Sequence, residues 1–418
     1  MASILGGKIL SAIDIGTTKI CVLVAQISKN GSMEIIGFGQ HPSYGLKKGV
    51  VSNISSAVNS IKKALAKAEK SAGFAIKTAV VGISGSHIQS INSSGVVPIK
   101  YREVSQNDID RVIEAARAVP IPEDREILHV IPQYFRVDGE DRIEDSLGMH
   151  GVRLESQGHI VTGSVSSAQN IIKACELAGV SPTDIVLEQI ASAEAVLSSS
   201  ERELGVGILD IGGGTSDFAI YKSGKIMHSK VFPIAGNHFT NDLAIGLSIP
   251  VAHAEDAKKK FGFVVEEKYL EYGKSEMKFK DEDGNNKKID IYKMYEILNP
   301  RATEVYEFVI DDILACYLMP MLQAGLVLTG GGSLLNGMKE LAIQELGLST
   351  RVGIPRSIQD DNQSSIIPDM LKSPIYSTAY GTLLYAARGG DKAFEGDRDK
   401  TRFSRIFKKM KSWLYDFL

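Results

Sequence analysis

The sequence predicts a duplicated α/β fold carrying an inserted α+β subdomain and ending in a basic amphipathic helix. Three observations carry this expectation. DIGTTK at Asp14–Lys19 and LDIGGGTSDF at Leu209–Phe218 share one grammar: an apolar strand-like run, an Asp at its end, then Gly and Thr. A block between them breaks that grammar, and the last residues of the chain place large apolar side chains along one helical stripe.

The first turn follows KILSAI and leads into further strands through EIIGFGQHP. In SNISSAVNSIKKALAKAEKSAG the apolar residues Ile54, Val58, Ile61, Leu65 and Ala68 recur every three or four positions, so the segment reads as a helix with Ser52 or Asn53 at its N-cap. KTAVVGIS is then a strand. In the inserted block HIQSINSSGVVPI is strand-like, and VSQNDIDRVIEAARAV is a helix capped by Ser105 with Asp108 three residues on. LHVIPQYFRVDG is extended but interrupted at Pro132. GHIVTGSVS returns to a strand, and SSAQNIIKACELAGV is a helix closed by a Gly cap. The second half repeats strand, turn and strands. Helices follow at HFTNDLAIGL and VAHAEDAKKKFG, then a charged region from Val264 to Asn299 with a DEDGNN turn. PRATEVYEFVIDDILACYL reads as a long helix that starts at Pro300.

The chemistry of the turns points to a nucleotide. Gly-rich turns direct backbone N–H groups into one small space, which suits phosphate oxygens. An ionised Asp is acceptor-only and holds Mg²⁺ through waters. A single such turn is common and mostly structural, whereas two of one grammar suggest two half-domains closing on one ligand. A third cluster, LVLTGGGSLLNGM, puts Gly330, Gly331 and Gly332 after an apolar run, where a flat ring would find room against the backbone. No Gln, Glu or His identifies itself as the group that orients an attacking water, so hydrolysis is expected to be weak at most.

Composition narrows the class. The 418 residues are 44% hydrophobic and 23% charged, as in a globular chain of two or more domains. A net charge of −3 argues against a nucleic-acid partner for the chain as a whole. Cys21, Cys175 and Cys316 are scattered and flanked by apolar residues, and read as buried free thiols with neither a zinc site nor a disulfide framework. No signal peptide or transmembrane stretch is evident, which points to the cytoplasm. In RFSRIFKKMKSWLYDFL, Phe403, Ile406, Phe407, Met410, Trp413, Leu414, Phe417 and Leu418 share one stripe, while Arg402, Arg405, Lys408, Lys409 and Lys411 fill the other face. That suits a helix lying in the plane of an anionic membrane, with the polar stretch from Arg388 to Thr401 as a flexible linker. A helix packed on the body or on a partner is the plainer alternative.

In order and spacing the three Gly-rich pieces resemble the phosphate and adenosine loops of the actin-like ATPase superfamily. ASAEAVL at Ala191–Leu197 and STAYGTLLYA at Ser377–Ala386 resemble its two small-residue connecting helices. DIDRVIEAARAVPIPEDREILHVIPQYFRVDG, GMHGVRLESQGHIVTG and GNHFTNDLAIGLSIPVAHAEDAKKKFG, with the terminal helix, resemble the bacterial FtsA family of cell-division proteins over essentially the whole chain. The resemblance implies subdomains 1A (1–84 and 166–199), an insert 1C (85–165), 2A (200–245 and 303–386) and 2B (246–302), then a linker (387–401) and a membrane-targeting helix (402–418). It implies ATP held by Gly16, Thr17, Thr18 and Lys19 from one side and Gly212, Gly213, Gly214 and Thr215 from the other, with Mg²⁺ on Asp14 and Asp210. Glu255 and Lys258, one helical turn apart, would touch ribose and adenine, unless they form a surface ion pair. It further implies filaments formed through the insert, FtsZ and other division proteins as partners, and a place on the cytoplasmic face of the inner membrane at the septum. The rivals are an actin-like component of a pilus or secretion machine, a sugar kinase, which would need a sugar-binding Asp, and a chaperone, which would need a substrate domain.

Overall fold

The computed structural model describes residues 7–28, 31–272, 276–280, 286–357, 359–360 and 363–389. The readings for the linker from 390 onward and for the amphipathic helix lie outside the described residues, as does most of the DEDGNN turn.

The first lobe is built on β1 (Lys8–Ile15), β2 (Lys19–Ile27) and β3 (Ser32–Pro42), an antiparallel meander. After a small hairpin, β4 (Leu46–Lys47) and β5 (Val50–Val51), comes α1 (Ile54–Ala72), then β6 (Thr78–Ile83), parallel to β1. The Asn53 side chain accepts from the Ser56 N–H at 2.9 Å, and Gly73, with φ at 82°, closes the helix in the left-handed region. β2 is apolar throughout its middle because both faces of the sheet are covered, so Ile20 to Ala25 are fully buried.

The insert comprises β7 (Gln89–Pro98), α2 (Gln106–Arg117), β8 (Arg125–Val137), β9 (Glu140–Ile143) and β10 (Arg153–Ser164). Its strands form an antiparallel sheet in the order β7-β10-β8-β9. Ser105 and Asp108 make the expected reciprocal cap. Pro132 does not interrupt the chain as expected. β8 runs through it, because the register shifts there and leaves Gln133 as an extra, bulged residue where the missing N–H does no harm.

β10 leads directly into α3 (Val165–Ala178), β11 (Ser181–Leu187), α4 (Glu188–Val196) and α5 (Ser199–Leu204). The second lobe then repeats the first with β12 (Val206–Ile211), β13 (Ser216–Lys222) and β14 (Lys225–Phe232). α6 (Gly236–Leu247), α7 (Val251–Phe261), α8 (Glu267–Tyr272) and the hairpin β15 (Glu276–Lys280) and β16 (Asn286–Asp290) follow. The chain continues through α9 (Tyr292–Ala315), β17 (Leu326–Thr329), α10 (Met338–Leu346), β18 (Thr350–Val352), β19 (Gln359–Asp360), β20 (Gln363–Ser365) and α11 (Ser377–Ala387). The sheet orders are β11-β6-β1-β2-β3 in the first lobe and β18-β17-β12-β13-β14 in the second, with β20 and β19 extending the first beyond β3. Strand for strand, the two lobes have one topology.

Two further expectations need correction. α9 starts at Tyr292, a full two turns before Pro300, which sits inside it. Met294 and Leu298 are in phase with Ala302, Val305 and Val309 on the buried face, and that shared burial outweighs the hydrogen bond the proline forfeits. Cys21 and Cys175 are buried, but Cys316 at the end of α9 is exposed.

The insert is fastened to the second lobe by polar contacts on β14. The bulged Gln133 amide donates to the Ile226 and Met227 carbonyls at 3.0 Å each. Buried His159 bridges Asn92 and Ser229 at 2.7 and 2.8 Å, and the Ser90 hydroxyl donates to the Ser229 carbonyl at 2.6 Å. Burial pushes His159 down to about 3, so it is neutral in this contact.

Candidate functional site

The β1–β2 and β12–β13 connections are the same hairpin made twice. Gly16 N–H donates to the Lys19 carbonyl at 3.0 Å, and Gly212 N–H donates to the Thr215 carbonyl at 2.9 Å. The two turns face one another. A Cβ placed on Gly213 would overlap the Thr18 hydroxyl and lie 3.1 Å from Thr18 Cβ, and one on Gly214 would lie 3.0 Å from Thr17 Cγ2 and from Lys48 Cα. Only glycine lets the backbones come this close. The Thr17 hydroxyl accepts from the Gly49 N–H at 3.1 Å, which draws the loop around Lys48 over the second turn.

Asp14, Asp210, Asp217 and Glu188 meet on the floor between the lobes. Asp14, 3% exposed, holds the Lys19 ammonium at 2.5 Å. Burial works against that ammonium, yet the Asp14 charge and hydrogen bond hold it above its ordinary value. Asp210 is met by hydroxyls instead: Ser192 from α4 and Thr378 from α11 donate to it, the second at 3.0 Å. Burial raises it above the ordinary carboxylate range despite those donors. Asp217 is pushed up to about 7, chiefly by burial, although the Ser84 hydroxyl donates to it at 2.5 Å. Ser84 also reaches Thr215 at 3.1 Å, so the residue at the root of the insert touches the second turn. Glu188, the first residue of α4, is held well above its ordinary range by burial and by the charges of Asp14, Asp217 and Asp210. α4 and α11, the two small-residue helices, cross so tightly that a Cβ on Gly381 would collide with the Ala191 backbone.

The remaining predicted residues fall around this floor in two ways. Lys258 donates to the Gly236 carbonyl at 2.9 Å and pairs with Glu255 at 2.7 Å. Gly236 N–H in turn donates to the Gly212 carbonyl at 3.0 Å, so this ion pair stands directly behind the second turn. Burial opposes the Glu255 carboxylate, but Lys258 and Thr240 bring it down to about 2. In the third cluster, Gly330 has φ at 78° and abuts Asp210, while a Cβ on Gly332 would strike the Ile211 side chain. These two glycines are required by close packing on β12. Gly331 alone faces open space, with nothing but Ile375 within reach at 3.9 Å. Sequence reasoning missed Glu188, Ser84 and Lys48, which lie outside the quoted turn motifs, and gave no role to Asp217, although it lies within LDIGGGTSDF.

Two lobes of one topology, closing on paired Gly-rich hairpins over a buried set of carboxylates, define the actin-like ATPase fold. The solved PilM–PilN type IV pilus biogenesis complex shares it at a TM-score of 0.64 and 16% identity, over 90% of this chain and 98% of that one. MreB5 of Spiroplasma citri bound to ADP shares it at a TM-score of 0.55 and 16% identity, over 91% and 98%. Family models described as "SHS2 domain inserted in FTSA" and "Cell division protein FtsA" match residues 85–162 and 207–381. Cell division protein FtsA of Pseudomonas aeruginosa is 41% identical over 385 residues, 92% of this chain and 91% of that protein. Its counterpart in Escherichia coli strain K12 is 33% identical over 416 residues, 97% and 96%. The chain belongs to the FtsA family of cell-division proteins. The pilus, sugar-kinase and chaperone readings are thereby set aside.

Proposed function

We propose that this cell-division protein binds ATP with Mg²⁺ between its lobes, assembles into filaments on the cytoplasmic face of the inner membrane, and there anchors FtsZ and later division proteins at the septum. The observation that carries the nucleotide reading is the opposition of Gly213 and Gly214 to Thr18 and Thr17. Bare backbone on one side meets hydroxyls on the other, so hydrogen-bond donors of both hairpins converge along one edge, where phosphate oxygens would be held. Asp14 and Asp210 suit Mg²⁺ by donor type, since the ion prefers oxygen and keeps much of its water. When bound, the ion would offset the surplus of buried carboxylates over Lys19. Burial and the charges of Asp14, Asp217 and Asp210 favour the protonated form of Glu188. A cation bound there would favour its carboxylate, the form that could orient a water for slow hydrolysis.

Membrane attachment rests on the stripe from Phe403 to Leu418 and on the family, and among the described residues no helix is long and apolar enough to cross a membrane. A basic residue near an anionic surface contributes about 1 kcal/mol and a buried large apolar side chain about 1.5–3 kcal/mol. The apolar stripe should therefore dominate. Co-sedimentation of the full chain with anionic vesicles, with ATP and FtsZ added, tests the whole reading. Recovery of FtsZ with the vesicles only when this protein is present supports it. Trp413→Glu should release both proteins, Lys408→Ala should only weaken recovery, and a Trp413→Glu protein that still pellets with the parent's yield would refute the anchor.

A further inference from the structure

β14 and the end of α9 bring together three side chains that the nucleotide site does not use. His228 Nε2 lies 2.5 Å from Asp312 Oδ2, and Cys316 stands one helical turn after Asp312. The ligand atoms of all three fall within 4.8 Å of one another. The side chains of His228 and Asp312 are only 15% and 12% exposed, whereas Cys316 opens to solvent. Residue spacing offers no hint of this, since His228 lies on a strand and the other two at the end of a helix more than eighty residues away.

We infer that His228, Asp312 and Cys316 form a binding site for a borderline-soft divalent transition ion, of which zinc is the prototype, with water as its fourth ligand. The donor set decides the ion class. Imidazole, carboxylate and thiolate together suit zinc and its neighbours, whereas Mg²⁺ takes oxygen alone. Carboxylate and thiolate balance the dication. As the ion binds, the thiol proton leaves to solvent, and the proton shared by His228 Nε2 and Asp312 moves to His228 Nδ1 or to solvent. Tetrahedral donors stand roughly 3.3–3.8 Å apart. The ion therefore replaces the short His228–Asp312 hydrogen bond and draws in the Cys316 sulfur. The Lys230 ammonium, 4.0 Å from Asp312 and on a half-exposed side chain, competes with it. Binding would tie β14 to α9 beside Ser229 and the Met227 carbonyl, where the insert is fastened.

Cys316 is the one exposed cysteine of the three, so its alkylation reads the site directly. Untagged full-length protein is treated with N-ethylmaleimide with and without Zn²⁺. Labelling should slow about tenfold or more with Zn²⁺, and His228→Gln and Asp312→Asn should each restore the fast rate in its presence. Lys230→Gln should lower the Zn²⁺ concentration needed. Co²⁺ added to the wild-type chain should give a thiolate charge-transfer band that Cys316→Ser removes, a readout that stands even where a variant fails to fold. An unchanged labelling rate with Zn²⁺, protection that persists in both ligand variants, or a Co²⁺ complex without the thiolate band would each overturn the site.

Discussion

The first and second hairpins have the same backbone and opposite equipment. Each carries an Asp as the penultimate residue of its strand and closes with a Gly N–H bonded to the carbonyl three residues on. The first presents Thr17 and Thr18, while the second presents Gly213 and Gly214. Asp14 is neutralised by Lys19, whereas Asp210 is held by the hydroxyls of Ser192 and Thr378. Duplication thus supplied the geometry, and divergence made the halves complementary: side chains fill the narrow space from one side only. The carboxylate held by hydroxyls is the one crossed by the two connecting helices, so its partners come from the parts of the chain that join the lobes.

The largest expected effect lies where the hairpins meet. Gly213→Arg should abolish ATP binding in a calorimetric titration, because the new side chain would have to occupy the space facing Thr18. Unchanged affinity would mean that the nucleotide does not sit between the hairpins. The next effect separates the two aspartates. Lys19→Met strands a buried Asp14 charge and should cost about 3–5 kcal/mol, seen as a lowered melting temperature that Asp14→Asn largely restores. Ser192→Ala removes one of two donors to Asp210 and should cost less, about 1–3 kcal/mol. Equal losses at the two sites would break the contrast.

A smaller effect distinguishes the second hairpin by pH. Burial pushes Asp217 up to about 7 in the folded chain, above the ordinary value of 3.8. The folded state therefore holds this proton more tightly than the unfolded state does. Asp217 contributes fully below about pH 4, and its contribution is lost as pH rises through about 7. Asp217→Asn should flatten the fall in urea midpoint between those values. A slope equal to that of the parent would place the titration elsewhere.

Features written in local chemistry were legible in the sequence. The hairpins announce themselves through Asp, Gly and Thr, and the cap at Ser105 through a side chain that bonds its own backbone, while at α1 the sequence left Ser52 and Asn53 as alternatives and the structure has Asn53. The duplicated topology followed from finding the same turn twice. What sequence could not show arises from contacts across the fold. Ser84 meets Thr215 and Asp217 only because the root of the insert lies against the second hairpin. Glu188 looks like an ordinary helix-start residue until α4 is seen to begin among three other carboxylates. Pro300 misled because local propensity favours a helix start there, while the buried face of α9 runs through it. The glycines at 330 and 332 serve β12 packing, a requirement set by Asp210 and Ile211 rather than by their own turn.

The opposition of the two hairpins is the central claim, and a double-mutant cycle tests it most directly. ATP affinity would be measured for Gly213→Ala, Thr18→Ala and the double variant. Gly213→Ala alone should weaken binding about tenfold or more, because its Cβ overlaps the Thr18 hydroxyl. With Thr18→Ala the nearest remaining atom of that side chain is Cβ at 3.1 Å, which a slight shift accommodates, so the same glycine change should then cost only a few-fold. Equal losses in the two backgrounds would show that the hairpins act independently and would contradict the shared cradle.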